Sequence, residues 1–202
     1  MLRKKAQKLL PIKIMNVFDF DDTIYDGESV LDFFFWYIKK YPRLLKLMPR
    51  VLFAFAKYKA GRVTIAQALT DYAPEVEEFY RSIPDFAADC RDFWDCHMHK
   101  IRPFYKEIQQ EDDLVISASP EGSIGEICSR LGIKNYIASV IDENGKITDL
   151  CMRSHKTEMF FERYPNGHPE NFYTDSEKND APLIQISEHA FIVKGNKIRQ
   201  IK

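Results

Sequence analysis

The stretch that most restricts this chain is Asn16-Val-Phe-Asp-Phe-Asp-Asp-Thr23, which follows the run Ile12-Lys-Ile-Met15. A short apolar, β-branched run of this kind reads as a buried strand of a parallel sheet. Open α/β sheets bind ligands at the carboxyl ends of their strands, so Asp19 and Asp21 are expected to project toward a common site. Two carboxylates one residue apart repel, and both stay ionised only beside positive charge. Magnesium suits such hard oxygen ligands. Taken alone, the pair also fits cap and turn acids where a strand meets a loop.

The 202 residues suffice for one core, or for a core carrying an inserted module. Ser29-Val-Leu-Asp32 fits a capping box and predicts a helix start. From about residue 29 to 103 the text is helical and rich in aromatics and leucine. Breaks are predicted at Tyr41-Pro42, Met48-Pro49, Ala60-Gly61, Ala73-Pro74 and Ile83-Pro84. After Pro103 the pattern changes to strands at Leu114–Ile116, Asn135–Val140, Phe172–Thr174 and Ala190–Val193. Helices are predicted from Ser119-Pro-Glu121 to Leu131-Gly132 and from Ser154 to Tyr164. Strands alternating with helices predict a parallel, Rossmann-like α/β sheet, with the helical block inserted above the strand ends.

Formal net charge is −1, which leaves no global electrostatic footprint for nucleic acid. Cys90, Cys96, Cys128 and Cys151 are scattered and suit a reducing compartment better than a disulfide framework. The basic first ten residues lack the apolar region and cleavage site of a signal peptide, and no run reaches transmembrane length. A cytoplasmic location is therefore expected.

Chemistry falls at the ends of the predicted strands. Ser117 follows Leu114–Ile116 and precedes a helix N-terminus, a place whose backbone N–H groups and dipole favour an anion. Lys156 sits in the first turn of a predicted helix, where a cation has the wrong sign for the dipole and so suggests an anionic partner. Asp175 follows Phe172-Tyr-Thr174, with Asp180 five residues on. Several carboxylates at adjacent strand ends would be costly without a divalent cation.

The ordered set Asp19-x-Asp21-x-Thr23, Ser117, Lys156 and Asp175-x4-Asp180 resembles the four signature motifs of the haloacid dehalogenase-like phosphohydrolase superfamily. The likeness covers the whole chain in order and spacing. It implies a catalytic core of residues 1–28 and 104–202, with residues 29–103 as a helical cap of the C1 type. It also implies Asp19 as nucleophile and Asp21 as general acid and base. Ser117, Lys156 and Thr23, with the backbone around Phe20, Asp21 and Ala118, would hold the phosphoryl group. Asp19, the carbonyl of Asp21 and Asp175 would bind magnesium, with Asp180 in or beside that shell. The expected reaction is hydrolysis of a small-molecule phosphomonoester through an aspartyl-phosphate, since a halide leaving group would not need the second acid.

Within the superfamily the likeness is to the phosphoserine-phosphatase-like branch. Glu28 matches a glutamate that faces the substrate amine there, and Gly61–Leu69 resembles a cap segment. An arginine for the substrate carboxylate would fall near Tyr72, which cannot replace a guanidinium, so phosphoserine itself is not expected. Thr174 and Asp22 stand where glycines are usual. Alternatives are a phosphatase of a lipid or other apolar phosphate, a phosphotransferase, and a binding protein without turnover. The run Phe33-Phe-Phe-Trp36-Tyr37 is expected to be cap core. Together with Lys39, Lys40, Arg43, Lys46 and Arg50 it could form a face toward anionic lipid, but a solvated basic helix face is the expected reading.

Overall fold

The computed structural model describes residues 13–60, 62, 67 and 73–202. Among them the first apolar run forms β1 (Lys13–Asp19), the middle strand of a seven-stranded sheet. The other strands are β2 (Leu114–Pro120), β3 (Asn135–Ile141), β4 (Ile147–Asp149), β5 (Gly167–Thr174), β6 (His189–Lys194) and β7 (Lys197–Gln200). Their order is β4-β3-β2-β1-β5-β6-β7. The inner five are parallel, while β4 and β7 are antiparallel edges. The chain fills one side of β1 first and then crosses to the other, which makes β1 the strand at which the order switches.

Side-chain alternation explains why the sheet is buried on both faces. Met15, Val17, Leu114, Ile116, Ile137 and Phe172 point to one face. There they pack against Phe160 of α7 (Ser154–Arg163) and Leu183 of α8 (Ala181–Ile186). Phe18, Val115 and Ala138 point to the other, onto α6 (Glu121–Leu131) and the helical insertion. Gly132 closes α6 with φ 74°, a left-handed cap that glycine adopts without strain.

The insertion between β1 and β2 begins with α1 (Ser29–Lys40), a 3₁₀ turn (Pro42–Leu47) and α2 (Met48–Lys59). It continues with α3 (Ala73–Arg81), α4 (Phe86–His97) and the short α5 (Pro103–Ile108). The breaks at Tyr41-Pro42, Met48-Pro49 and Ile83-Pro84 fall at joints between these elements and Ala73-Pro74 opens α3, while Gly61 lies outside the described residues. Phe33, Phe34 and Tyr37 are buried, as the core reading of the aromatic run expects, while Phe35 is exposed. The strands entering and leaving the insertion run side by side. Arg102 N–H donates to the Ile24 carbonyl and Asp26 N–H to that of Lys100, and Arg102 pairs with Asp26 at 2.8 Å. Helix α4 is locked to α6 by the Trp94 indole donating to the Ser123 carbonyl and by Arg130 on Asp95.

Three local expectations are corrected. Ser29 is the first residue of α1 rather than its cap; Glu28 holds the cap position, with no side-chain capping bond. Ser119 lies inside β2, and Pro120 is the cap of α6, because the strand continues alongside Ser139. β5 begins five residues before Phe172: Gly167-His-Pro-Glu lacks a strand pattern but is recruited by pairing with Lys13–Met15, with a register shift that accommodates Pro169. The β7 hairpin was not foreseen, although Gly195-Asn196 is a tight-turn signal, since Lys197–Gln200 is an exposed polar edge.

Candidate active site

The carboxyl ends of the central strands are level. Asp19 lies opposite Ile116 of β2, and Phe18 opposite Tyr173 of β5, so Ser117, Thr174 and Asp175 follow at nearly the same height. The first turn of α7 carries Lys156 under this edge. Its ammonium donates to Asp19 Oδ1 at 2.7 Å and lies 3.0 Å from Asp180 Oδ1, with all three residues buried. The wrong-signed cation at the helix start is thus matched by two carboxylates from other elements. Asp180 is oriented by Thr174, whose hydroxyl donates to Asp180 Oδ2 at 2.6 Å and accepts from the Ser176 amide. The departure from glycine at Thr174 therefore contributes a hydrogen bond to the site.

Asp21 is held from two directions. The Ser29 amide, at the start of α1, donates to Oδ1 at 2.6 Å, and the Ser119 hydroxyl donates to Oδ2 at 2.7 Å. Ser119 and Ser29 hydroxyls lie 3.1 Å apart, and the Ser119 amide donates to Ser117 Oγ. Neither serine was singled out as a site residue from sequence. A second hydroxyl two residues beyond Ser117, on the same face of the strand by alternation, is the available signal. Asp22 has φ 54°, so it adopts the left-handed conformation that a glycine would favour there. Thr23 is fully buried, and its hydroxyl has no hydrogen-bond partner among the described residues. Phe20 is buried against Tyr25 and Trp94, which fixes the backbone between the two acids. The Ala118 carbonyl accepts from Ser139 Oγ at 2.7 Å.

Burial pushes the Asp19 carboxyl well above the ordinary range; Lys156 opposes this, while the charges of Asp180 and Asp175 reinforce it. Burial also raises Asp21, partly offset by its bonds from Ser29 and Ser119. Three acids therefore bear on one spot where Lys156 supplies one positive charge, and Asp180 Oδ1 has that ion pair but no hydrogen bond among the described residues. This excess of hard oxygen donors fits magnesium. Among the described residues no three His, Cys, Asp or Glu side chains form a ready metal cluster. Magnesium does not require one, since it is commonly held by one or two carboxylates together with water and substrate phosphate.

Glu28 precedes Ser29 at the cap position of α1. Tyr72 lies outside the described residues, as does nearly all of the Gly61–Leu69 segment.

Replacing Lys156 with methionine is expected to destabilise the fold by about 3–5 kcal/mol near neutral pH, because two buried carboxylates lose their cation. Asp19 is then pushed still higher, and a raised carboxyl contributes stability below its folded pKa that is lost as pH rises. The variant should therefore regain stability as pH falls, which thermal unfolding across pH would record.

His155 has Nδ1 2.6 Å from Glu158 Oε2 and Nε2 2.6 Å from Asp149 Oδ1, so both nitrogens donate only as imidazolium. The bonds it donates to Glu158, and then to Asp149, outweigh burial and raise its pKa above 6.5. That stability is complete below about pH 6.5 and is lost as pH rises through the folded pKa. The melting temperature of wild type should fall over that upper window, and that of His155→Gln should not.

The sequence from residue 17 to 185 matches the family model of haloacid dehalogenase-like hydrolases. No curated protein matches the chain. Among solved structures, a protein of unknown function from Bordetella pertussis Tohama I superposes with TM-score 0.67 at 17% identity, covering 87% of each chain. A HAD family hydrolase from Salmonella enterica subsp. enterica serovar Typhi gives 0.58 at 14% identity, over 88% of this chain and 61% of that one. A phosphoserine phosphohydrolase-like protein from Francisella tularensis subsp. tularensis SCHU S4 gives 0.57 at 15% identity, over 89% of this chain and 86% of that one. At these identities the likeness establishes the fold alone, a Rossmann-like sheet flanked by helices. With a family match that spans most of its length, the chain belongs to the haloacid dehalogenase-like hydrolases.

Proposed function

We propose that the chain is a magnesium-dependent phosphomonoester hydrolase that works through a phospho-Asp19 intermediate on a small phosphorylated metabolite. One observation carries the reading. At the strand where the sheet order switches, Asp19 is held by Lys156, and Asp21 is held separately by Ser29 and Ser119. That is a nucleophile beside a cation, and an acid whose burial favours holding a proton.

In the proposed reaction an Asp19 carboxylate oxygen attacks phosphorus and the ester P–O bond breaks. Asp21 gives its proton to the departing oxygen. Asp21 then takes a proton from water, which attacks the aspartyl-phosphate, releases inorganic phosphate and frees Asp19. Lys156, Ser117, Thr23 and the backbone from Phe20 to Asp21 and at Ala118 neutralise and orient the phosphoryl oxygens, the main requirement of phosphoryl transfer. Asp19, Asp175 and the Asp21 carbonyl would hold magnesium, which supplies further charge neutralisation. Asp180 acts beside that shell, through Lys156.

In this reading residues 1–28 and 104–202 form the catalytic core and residues 29–103 the cap, and Glu28 and Tyr72 bear on which substrate is accepted. No helix among the described residues is long and apolar enough to cross a membrane, and a cytoplasmic location belongs to the proposal. The test is phosphate release over phosphoserine, sugar phosphates, nucleotides and a dispersed lipid phosphate, with magnesium and after its removal by chelation. Release that needs magnesium supports the reading and ranks the substrates. No release from any ester by folded, magnesium-supplied protein overturns it in favour of a binding role or transfer to another acceptor.

A further inference from the structure

Charge along this chain is segregated. From Phe33 to Thr70 there are eight lysines and arginines and no acid, although the whole chain has a formal net charge of −1. The rest of the protein is therefore acidic. The described part of the basic segment includes the 3₁₀ turn and α2, where Leu45, Leu52 and Phe53 stand 50%, 39% and 59% exposed. Leu52 and Phe53 are neighbours on α2, and Leu45 lies on the turn that leads into it. Arg50 and Lys57, seven residues apart on α2, are also exposed beside these apolar side chains, and Arg43 is exposed on the preceding turn. Lys57 lies over the Phe53 ring at 4.7 Å, so basic and apolar side chains adjoin.

We propose that this face of α2 and its preceding turn docks on an anionic lipid surface. Exposed apolar side chains flanked by arginine and lysine on a helix too short to span are the pattern of a helix that lies in the bilayer interface. Aliphatic and aromatic side chains enter the acyl boundary while guanidinium and ammonium groups meet lipid phosphates. A second copy of the chain is a poor occupant, since a two-fold contact would set basic side chains against basic side chains. Nucleic acid would answer the charge but leave Leu45, Leu52 and Phe53 without apolar partners. The inference does not rest on the hydrolytic reading, because none of these residues belongs to the strand-end site.

The test is co-sedimentation of the full chain with vesicles of phosphatidylcholine alone and of phosphatidylcholine mixed with phosphatidylglycerol, at low and high salt. Two double variants are compared, Leu52→Ser with Phe53→Ser and Arg50→Glu with Lys57→Glu, each checked for native circular dichroism and melting. Wild type is expected to bind the mixed vesicles, less so at high salt. Charge reversal should weaken binding at least tenfold, since each basic side chain near such a surface is worth roughly fivefold. The serine variant should lose binding while remaining folded. No preference for anionic vesicles, or equal binding by folded variants, overturns the proposal. So does a dimer by light scattering that the serine variant dissolves, or retention of an oligonucleotide with none of the vesicles.

Discussion

Asp19→Asn is expected to lower phosphate release by on the order of 10⁴-fold or more, as removal of a covalent nucleophile does elsewhere. The loss should appear in kcat, because in the proposed reaction Asp19 makes its bond to phosphorus only as the ester breaks. The amide is nearly isosteric, so the fold should survive. The substitution removes one of the two carboxylates paired with Lys156, and Asp180 still holds that ammonium at 3.0 Å. Burial and neighbouring acids already press Asp19 toward its neutral form. A neutral side chain there is therefore compatible with the folded state, and thermal stability should change little. Wild type quenched in acid during turnover should carry phosphate on Asp19, and the variant should carry none. Full activity in the variant would remove Asp19 from the chemistry.

Asp21→Asn is expected to cost about 10²–10⁴-fold, the usual range for a general acid–base group. The size should depend on the leaving group. A nitrophenolate leaves without a proton, so an aryl phosphate should be cleaved to the intermediate by the variant, whereas an alkyl phosphate should not. Both substrates then meet the same defect, because no base activates water, and the phospho-enzyme should accumulate with the aryl ester. A burst of nitrophenol followed by slow turnover would record this. Equal losses on both substrates, with no burst, would assign Asp21 a structural role. Ser119→Ala should reproduce a weaker form of the effect, because Ser119 donates to Asp21 Oδ2.

Much of this site was legible because its residues stand at strand ends, and strand ends can be read from local pattern. The run before Asp19, the runs before Ser117 and Asp175, and the odd cation in the first turn of α7 each break a local rule in a visible way. The helical block was equally plain, since proline marks its joints. Less local features were hidden. β7 carries no apolar pattern and exists by pairing with β6, and the first half of β5 exists by pairing with β1. Thr174 departs from the usual glycine, and its role depends on Asp180, six residues on, which accepts its hydroxyl.

The sequence by itself determined the alternation that buries both faces of the sheet, the place of the helical insertion and the order of the chemical groups along the chain. These depend on side-chain type at short spacing, which is a property of the string. Only the tertiary structure decided that Lys156 serves two acids at once, and that Asp21 is gripped by Ser29 from the insertion and by Ser119 from β2. Those partners lie from eight to 137 residues apart. Their hydrogen bonds depend on strand register and on the return path of the insertion, which arise from packing the whole chain into one core.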